Sequence, residues 1–256
     1  MTSDSLRLTV LGSATPYPSV ENPCSGYLVS GGGTRLWLDA GTGTLAELQR
    51  HARLDELDGI WISHLHADHC ADLLTAYYGA LYADIRLAAP IPLYGPQGIA
   101  GRLAHFLTNT AVRSPVESAF DIHELHDGHQ ARIGTLALTS RTVAHGILAF
   151  ALRVEAGGKS LAYSGDTAPC PSLTELAGGC DVLLCETGSA QAPAREEQVH
   201  HTPENAGETA AAARAARLIV THVDRAVSPR EAVDRAAARL GGAAEYAVPG
   251  ATFEIS

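Results

Sequence analysis

The stretch Ser63-His64-Leu65-His66-Ala67-Asp68-His69 decides how the rest of the chain is read. Three imidazoles and one carboxylate fall within six consecutive residues, directly after the apolar run Gly59 to Ile62. Imidazole and carboxylate ligands suit zinc and its first-row neighbours. On a loop leaving a strand, side chains two residues apart can point the same way, so His64 and His66 can share one ion. Asp68 and His69 begin the next turn and can reach a second ion. A solvated histidine-rich loop is the bland alternative, and the downstream sequence argues against it. Asp166, in Tyr163-Ser164-Gly165-Asp166-Thr167, and His222, in Leu218-Ile219-Val220-Thr221-His222, each close an apolar run. His145 lies in Arg141-Thr142-Val143-Ala144-His145-Gly146. Alone, each is an ordinary loop residue. Together they are ligand types at strand ends, where a sheet edge can gather them.

Outward from this stretch the chain reads as strands and helices in succession. Strands are expected at Leu6 to Leu11, Gly26 to Ser30, Thr34 to Leu38, Gly59 to Ile62, Ile91 to Tyr94, Ile133 to Thr139, Ala149 to Glu155, Ser160 to Tyr163 and Leu218 to Thr221. Helices are expected at Thr44 to His51, Ala71 to Gly79, Gln97 to Leu107, Pro203 to Ala216 and Pro229 to Leu240. Thr202 is placed to cap the fourth of these, with Pro203 at its first position. Too many strands are adjacent in sequence for a doubly wound sheet. Two β-sheets with helices packed outside them fit better.

Composition narrows the class. The 256 residues are 46% hydrophobic, enough for a substantial core, and no Ser/Gly tract or charge run divides residues 1–256, so one domain is expected. Net charge is −10, from 18 basic and 28 acidic residues. Nucleic-acid affinity comes largely from Lys and Arg on phosphates, so a large nucleic acid is a poor expectation as partner. The five cysteines have no CxxC spacing and read as reduced thiols. The polar start from Met1 to Arg7 lacks a signal-peptide pattern, and no apolar run is long enough to span a bilayer. A cytoplasmic location without a membrane partner is the expectation.

The order HxHxDH, a lone His, SGDT, and a strand ending in Thr-His-Val resembles the metallo-β-lactamase superfamily. Within it the chain resembles the tRNase Z-like branch, above all small actinobacterial-type phosphodiesterases, including those acting on cyclic nucleotides. The similarity runs from Leu8-Thr9-Val10-Leu11-Gly12-Ser13 through Cys24-Ser25-Gly26-Tyr27-Leu28-Val29 to Pro249-Gly250-Ala251-Thr252-Phe253. It implies a four-layer αββα sandwich with a binuclear centre at one edge. His64, His66 and His145 would hold the first metal, and Asp68, His69 and His222 the second. Asp166 would bridge them. Two divalent ions per chain are implied, zinc by default, with manganese and iron able to occupy such sites. A homodimer is compatible with the resemblance, since relatives of this branch often pair.

A further motif of the branch, His-x-Thr opening a helix, matches His200-His201-Thr202, with His200 22 residues before His222. The resemblance makes His200 a catalytic residue that binds no metal, acting on the leaving group, and leaves His201 a structural role. Glu204 or Glu208 would orient His200, and Asp68 would add a proton-shuttle role to metal binding. The implied chemistry is hydrolysis of a small-molecule phosphodiester by a water acidified between two metals. Two features depart from the pattern. Members that process tRNA carry a long arm between the third ligand His and the bridging Asp, whereas His145 and Asp166 are only 21 positions apart here, joined by a turn at Ala156-Gly157-Gly158. Relatives commonly continue the third His with Pro, an acid and an aromatic, whereas this chain reads His145-Gly146-Ile147-Leu148-Ala149-Phe150. Leu148 makes that wall more apolar and keeps lactone, ester and thioester hydrolysis open. A binding protein on a retained metal fold is the remaining alternative, opposed by the complete set of ligands.

Overall fold

Alternation along the strands sorts their side chains between two faces. Tyr27, Val29, Leu36, Leu38 and Trp61 turn to one side, and Leu28, Trp37 and Ile60 to the other. Both sides are buried, so the strands must lie inside a layered structure with helices beyond it. The computed structural model describes residues 5–83, 85–106 and 112–256. It contains β1 (Leu6–Gly12), β2 (Gly26–Gly31), β3 (Thr34–Leu38), β4 (Gly59–Trp61), β5 (Ile91–Gly95) and β6 (Phe120–Glu124) in a first sheet. The second sheet holds β7 (Gln130–Ile133), β8 (Leu136–Val143), β9 (Ala149–Ala156), β10 (Lys159–Tyr163), β11 (Val182–Thr187), β12 (Arg217–Val223) and β13 (Ala244–Tyr246). β14 (Thr252–Ile255) returns to the first sheet beside β1. The orders are β14-β1-β2-β3-β4-β5-β6 and β13-β12-β11-β10-β9-β8-β7, each mixing parallel and antiparallel pairs.

The inner faces of both sheets meet in one core, including Leu8, Val29 and Leu36 from the first and Leu138, Leu152 and Leu184 from the second. Outside the first sheet lie α1 (Thr44–Leu48), α2 (Ala67–Cys70), α3 (Asp72–Tyr82) and α4 (Ile99–Phe106). Leu48, Leu73, Ala76 and Leu103 of that layer pack on Trp37 and Ile60. Outside the second lie α5 (Pro171–Leu176), α6 (Pro203–Ala213) and α7 (Pro229–Leu240). Alanines 206, 210, 232 and 236 let α6 and α7 lie close to Leu183, Cys185 and Val220. The architecture is therefore the expected αββα sandwich. Each fully buried Leu, Val or Phe of these layers contributes about 1.5–3 kcal/mol.

Several expected elements differ in detail. Ile133 to Thr139 is not one strand: Gly134 takes φ 50° and turns the chain from β7 into β8. The fourth expected helix stops at Ala213, because Arg214 adopts the left-handed conformation at φ 53°. Its start is as read, with the Thr202 hydroxyl accepting from the Asn205 amide at 3.3 Å. The helix expected to end at Leu107 runs to Phe106, and Leu107 lies outside the described residues. β6, β11, β13, β14, α2 and α5 lie outside the expected strands and helices. Among the described residues, no helix is long and apolar enough to cross a membrane. All five cysteines are unpaired, and Cys70 is buried with its thiol donating to the His66 carbonyl.

Candidate metal centre

The parallel strands β3, β4, β10, β11 and β12 end at one edge of the sandwich, and the residues that follow them meet there. Asp39 follows β3, Ser63 and His64 lie just beyond β4, Asp166 follows β10, Glu186 lies near the end of β11, and His222 near the end of β12. His145 comes from the β8–β9 turn on the same edge. Backbone contacts fix the loops to each other. The Ala40 amide donates to the His69 carbonyl at 2.7 Å, and Gly41 passes so close that a Cβ there would lie 2.0 Å from the Asp68 carbonyl. Asp39 and His222 both hold left-handed backbone, at φ 51° and 47°, which costs energy for residues with a Cβ. Both residues turn the chain sharply into the site.

The seven expected ligands converge. His64 Nε2 lies 2.9 Å from His66 Nδ1, which lies 3.2 Å from His145 Nε2. Asp166 Oδ1 is 3.3 Å from His69 Nε2, and its Oδ2 is 3.5 Å from His222 Nε2 and 3.8 Å from His64 Nε2. Asp68 Oδ2 is 3.5 Å from His69 Nε2 and 4.0 Å from His222 Nε2. One group is thus His64, His66 and His145, and a second is Asp68, His69, Asp166 and His222, each with ligand atoms inside a 4.8 Å span. Asp166 touches both.

The rear nitrogen of most rings is tied away from this cluster, which leaves the other aimed inward. His69 Nδ1 donates to Asp39 Oδ2 at 2.7 Å, and His145 Nδ1 donates to the Val199 carbonyl at 2.9 Å. The Ser63 hydroxyl donates to Asp39, so it accepts from His64 Nδ1 at 3.0 Å. His222 Nδ1 hydrogen-bonds Ser25 Oγ at 3.0 Å. Two inward atoms, His69 Nε2 and Asp166 Oδ1, are buried with no hydrogen-bond partner among the described residues. Buried polar atoms are rarely left so, because each forfeits its hydration. Lone pairs of nitrogen and carboxylate oxygen facing one another in this way fit divalent cations of the zinc, manganese or iron type.

The electrostatics mark the same cluster, with His69 carrying positive charge among the carboxylates where a cation would otherwise sit. Burial, together with the charge of His69, drives His64 well below the usual imidazole range. His66 is lowered by burial and by His145. Neutral imidazole is the form that binds metal. Burial opposes charge on His69, but Asp166 and Asp39 outweigh it and raise that ring well above its ordinary value. Burial likewise opposes charge on Asp166, yet His222, His69 and His64 hold the carboxyl well below the usual carboxylate range.

His200 sits beside the cluster, its Nδ1 3.0 Å from Glu186 Oε1 and 3.9 Å from Asp166 Oδ2. The group that orients it is Glu186, not Glu204 or Glu208. Glu204 is held by Arg235 at 2.8 and 2.9 Å, and Glu208 lies by Asn205 and Arg239. Glu186 is fully buried, and its Oε1 also accepts the amides of Thr167 and His201. Burial works against charge on His200, but the Glu186 hydrogen bond and charge raise it to about 9. Gly188 makes the approach possible, since a Cβ there would come within 2.9 Å of His200 Nδ1 and 3.0 Å of His222. His201 points away, bonded to the Thr167 carbonyl at 2.6 Å and to Thr209 Oγ1 at 3.0 Å, fully buried. Asp39 and Glu186 are the two further carboxylates that the fold brings to the cluster, and neither is among the residues expected there. Their common signal is an acid closing an apolar run, Leu36-Trp37-Leu38-Asp39 and Val182-Leu183-Leu184-Cys185-Glu186.

Comparison with known proteins places this arrangement. A family model described as the beta-lactamase superfamily domain matches residues 34–223. An uncharacterized protein of Mycobacterium tuberculosis is 36% identical over 260 residues, spanning 98% of this chain and 93% of that protein. Ribonuclease Z of Myxococcus xanthus is 28% identical over 307 residues, spanning 98% of each. Among solved structures, the metallo-β-lactamase fold protein YhfI of Bacillus subtilis aligns with TM-score 0.84 and 22% identity over 98% of this chain and 100% of that one. The short form of human tRNase Z aligns with TM-score 0.78 and 21% identity over 98% and 99%. A diphosphatase from the PhnP family aligns with TM-score 0.74 and 19% identity over 98% of each. With this fold, this His/Asp cluster and these relatives, the chain belongs to the metallo-β-lactamase superfamily, as a metal-dependent hydrolase with ribonuclease Z among its relatives.

Proposed function

We propose that the protein hydrolyses a small phosphodiester, a cyclic nucleotide being the leading candidate. The observation that carries this reading is the Glu186–His200 pair beside Asp166, a proton donor held next to a cation-binding cluster. His64, His66 and His145 would hold one divalent ion and Asp68, His69 and His222 the other, with Asp166 close to both; zinc would be the default metal. When bound, such a pair stabilises charge on phosphoryl oxygens and acidifies a water for attack near neutral pH. The protein's own groups do the rest. Asp166 and the tied imidazoles fix the geometry without reorganisation. His200, with Nδ1 committed to Glu186, presents Nε2 and gives its proton to the departing alkoxide as the phosphorus–oxygen bond breaks. Glu186 keeps the resulting ring oriented to take up a proton again. Asp68 doubles as a ligand and as the acceptor that carries a proton away from the attacking water.

A small substrate is favoured over tRNA because only the β9–β10 hairpin lies between His145 and Asp166, and the chain is acidic overall. A second reading, hydrolysis of a lactone, ester or thioester, is favoured by Ile147 and Leu148, 39% and 45% exposed in the turn that carries His145. Assay of the metal-loaded protein against bis(p-nitrophenyl) phosphate, cyclic AMP and a lactone panel separates the two. Turnover of lactones alone would overturn the phosphodiester reading.

A further inference from the structure

A cleft of about 680 Å³ opens between the loop that follows β1 and the loop that joins β12 to α7. That volume lies within the range of small-molecule sites. The chain of both walls leads to the His/Asp cluster. The β1–β2 loop ends at Ser25, whose hydroxyl bonds His222 Nδ1, and the other wall begins at Val223 and Asp224, directly after His222. At the mouth, the Arg225 guanidinium lies 5.2 Å from the centroid of the Tyr17 ring. Arg225 covers one face of that ring, and the 71% exposure of Tyr17 leaves much of the rest open to solvent. Three of the lining residues are held together by hydrogen bonds: Asn22 accepts the Ser13 amide at 2.9 Å and donates to the Tyr246 hydroxyl at 3.3 Å, and Tyr246 meets Ser13 Oγ at 3.0 Å.

We propose that this cleft binds the nucleoside end of the substrate, with Tyr17 as the stacking surface and Arg225 as the residue that holds that ring from its opposite face. The inference rests on the phosphodiester reading of the adjoining centre and specifies its substrate. An exposed aromatic ring backed by a guanidinium is a platform for a planar base, because every base offers a π-face to it. Ser13, Asn22 and Tyr246 add amide and hydroxyl groups to a lining that also carries Tyr17, Pro18 and Val223, and this mixture of polar and apolar surface suits a planar heterocycle with polar edges. The position fits as well. Val223 in one wall directly follows His222, and the loop of the other wall ends at Ser25, which bonds His222, so a base in the cleft would have the cluster as its neighbour.

The test is calorimetric titration of the metal-loaded protein with adenosine 5′-monophosphate and with ribose 5-phosphate, which differ by the base alone. The wild type should bind the nucleotide more tightly by roughly tenfold or more, as one stacked base contributes. Tyr17→Ala and Arg225→Ala should erase that preference and leave ribose 5-phosphate affinity unchanged, whereas Tyr17→Phe should keep it. No preference in the wild type, or a preference that survives Tyr17→Ala, would overturn the proposal. So would an equal loss for both probes, which would mean that the variant disturbs the metal end. The readout needs no turnover. A Tyr17-dependent preference in a protein that hydrolyses no phosphodiester would sink the proposed activity and leave the cleft standing. Phosphodiester hydrolysis without any base preference would do the reverse.

Discussion

Glu186 and His200 stand 14 residues apart in the chain and 3.0 Å apart in the fold, joined by a hydrogen bond that ties the end of β11 to the loop before α6. The carboxylate is buried and the imidazole partly open, so the pair holds one end of the ring rigid and leaves the other for a reactant. Replacing His200 with Ala should keep the fold and the metals. Turnover of an unactivated phosphodiester should fall roughly 10²–10⁴-fold, the scale of a general acid. The deficit should shrink for a nitrophenolate leaving group, which departs without a proton. His201→Ala should not reproduce this pattern, since its ring bonds Thr167 and Thr209 away from the cluster. Metal analysis on each variant guards against ion loss, because His200 also lies within reach of His145 and Asp166. Equal deficits on both leaving groups would remove His200 from the proton path.

Glu186→Gln tests the other half of the pair. The amide oxygen can still accept from Thr167 and His201, but the charge that favours imidazolium is gone. Expected are a lowered melting temperature, because the new NH2 meets the Gly188 amide that Oε2 accepts, and normal metal content, with the leaving-group dependence of His200→Ala reproduced in weaker form. Turnover equal to wild type on the unactivated ester would show that the carboxylate only caps backbone amides.

Metal content is the direct check on the cluster. Elemental analysis of gently purified, reloaded protein should approach two ions per chain, since the ligand atoms fall into two groups sharing Asp166. Asp166→Ala should abolish hydrolysis and release at least one ion. A stoichiometry fixed at one in the wild type, or near-normal turnover in the variant, would contradict a shared binuclear site.

Asp39 touches no expected substrate position, yet it receives His69, Ser63 and the Tyr163 hydroxyl, the last at 2.7 Å. Asp39→Asn should weaken metal affinity by roughly 10–100-fold, as the loss of a group that orients a ligand does, with the fold retained. Competition with a chelator of known affinity gives the number. Unchanged affinity would limit Asp39 to a structural role.

The Glu204–Arg235 pair links α6 to α7 and gives a pH test away from the metals. The two hydrogen bonds from Arg235 hold the Glu204 carboxyl down at about 2, against an ordinary value of 4.5. A depressed carboxyl contributes stability that is complete above its unfolded pKa and disappears as pH falls through its folded one. Wild type should therefore melt above Glu204→Gln at pH 6, and the gap should close as pH drops from about 4.5 towards 2. A gap independent of pH would mean that the variant acts through packing. The contribution is modest, because the pair is partly exposed.

Local sequence was enough for much of this protein. An apolar strand followed at once by His, Asp or Ser places polar side chains at a sheet edge, because strand pairing and burial stop together. That rule located His64, Asp166 and His222, and the capping pattern located the start of α6. It could not tell which atoms face one another. The tautomer of His222 depends on Ser25, 197 positions away, and the orientation of His145 depends on the Val199 carbonyl. Glu186 escaped notice because the apolar run before it carries no turn signal of its own; Glu204 and Glu208 looked nearer to His200, yet the helix that carries them turns them toward Arg235 and Arg239. Composition and spacing thus determined the layers and the ligand types. The partner of each ring nitrogen, and the cleft between two loops far apart in the chain, were decided only by the folded packing of one sheet edge, since hydrogen bonds there select by distance in space and not by separation along the chain.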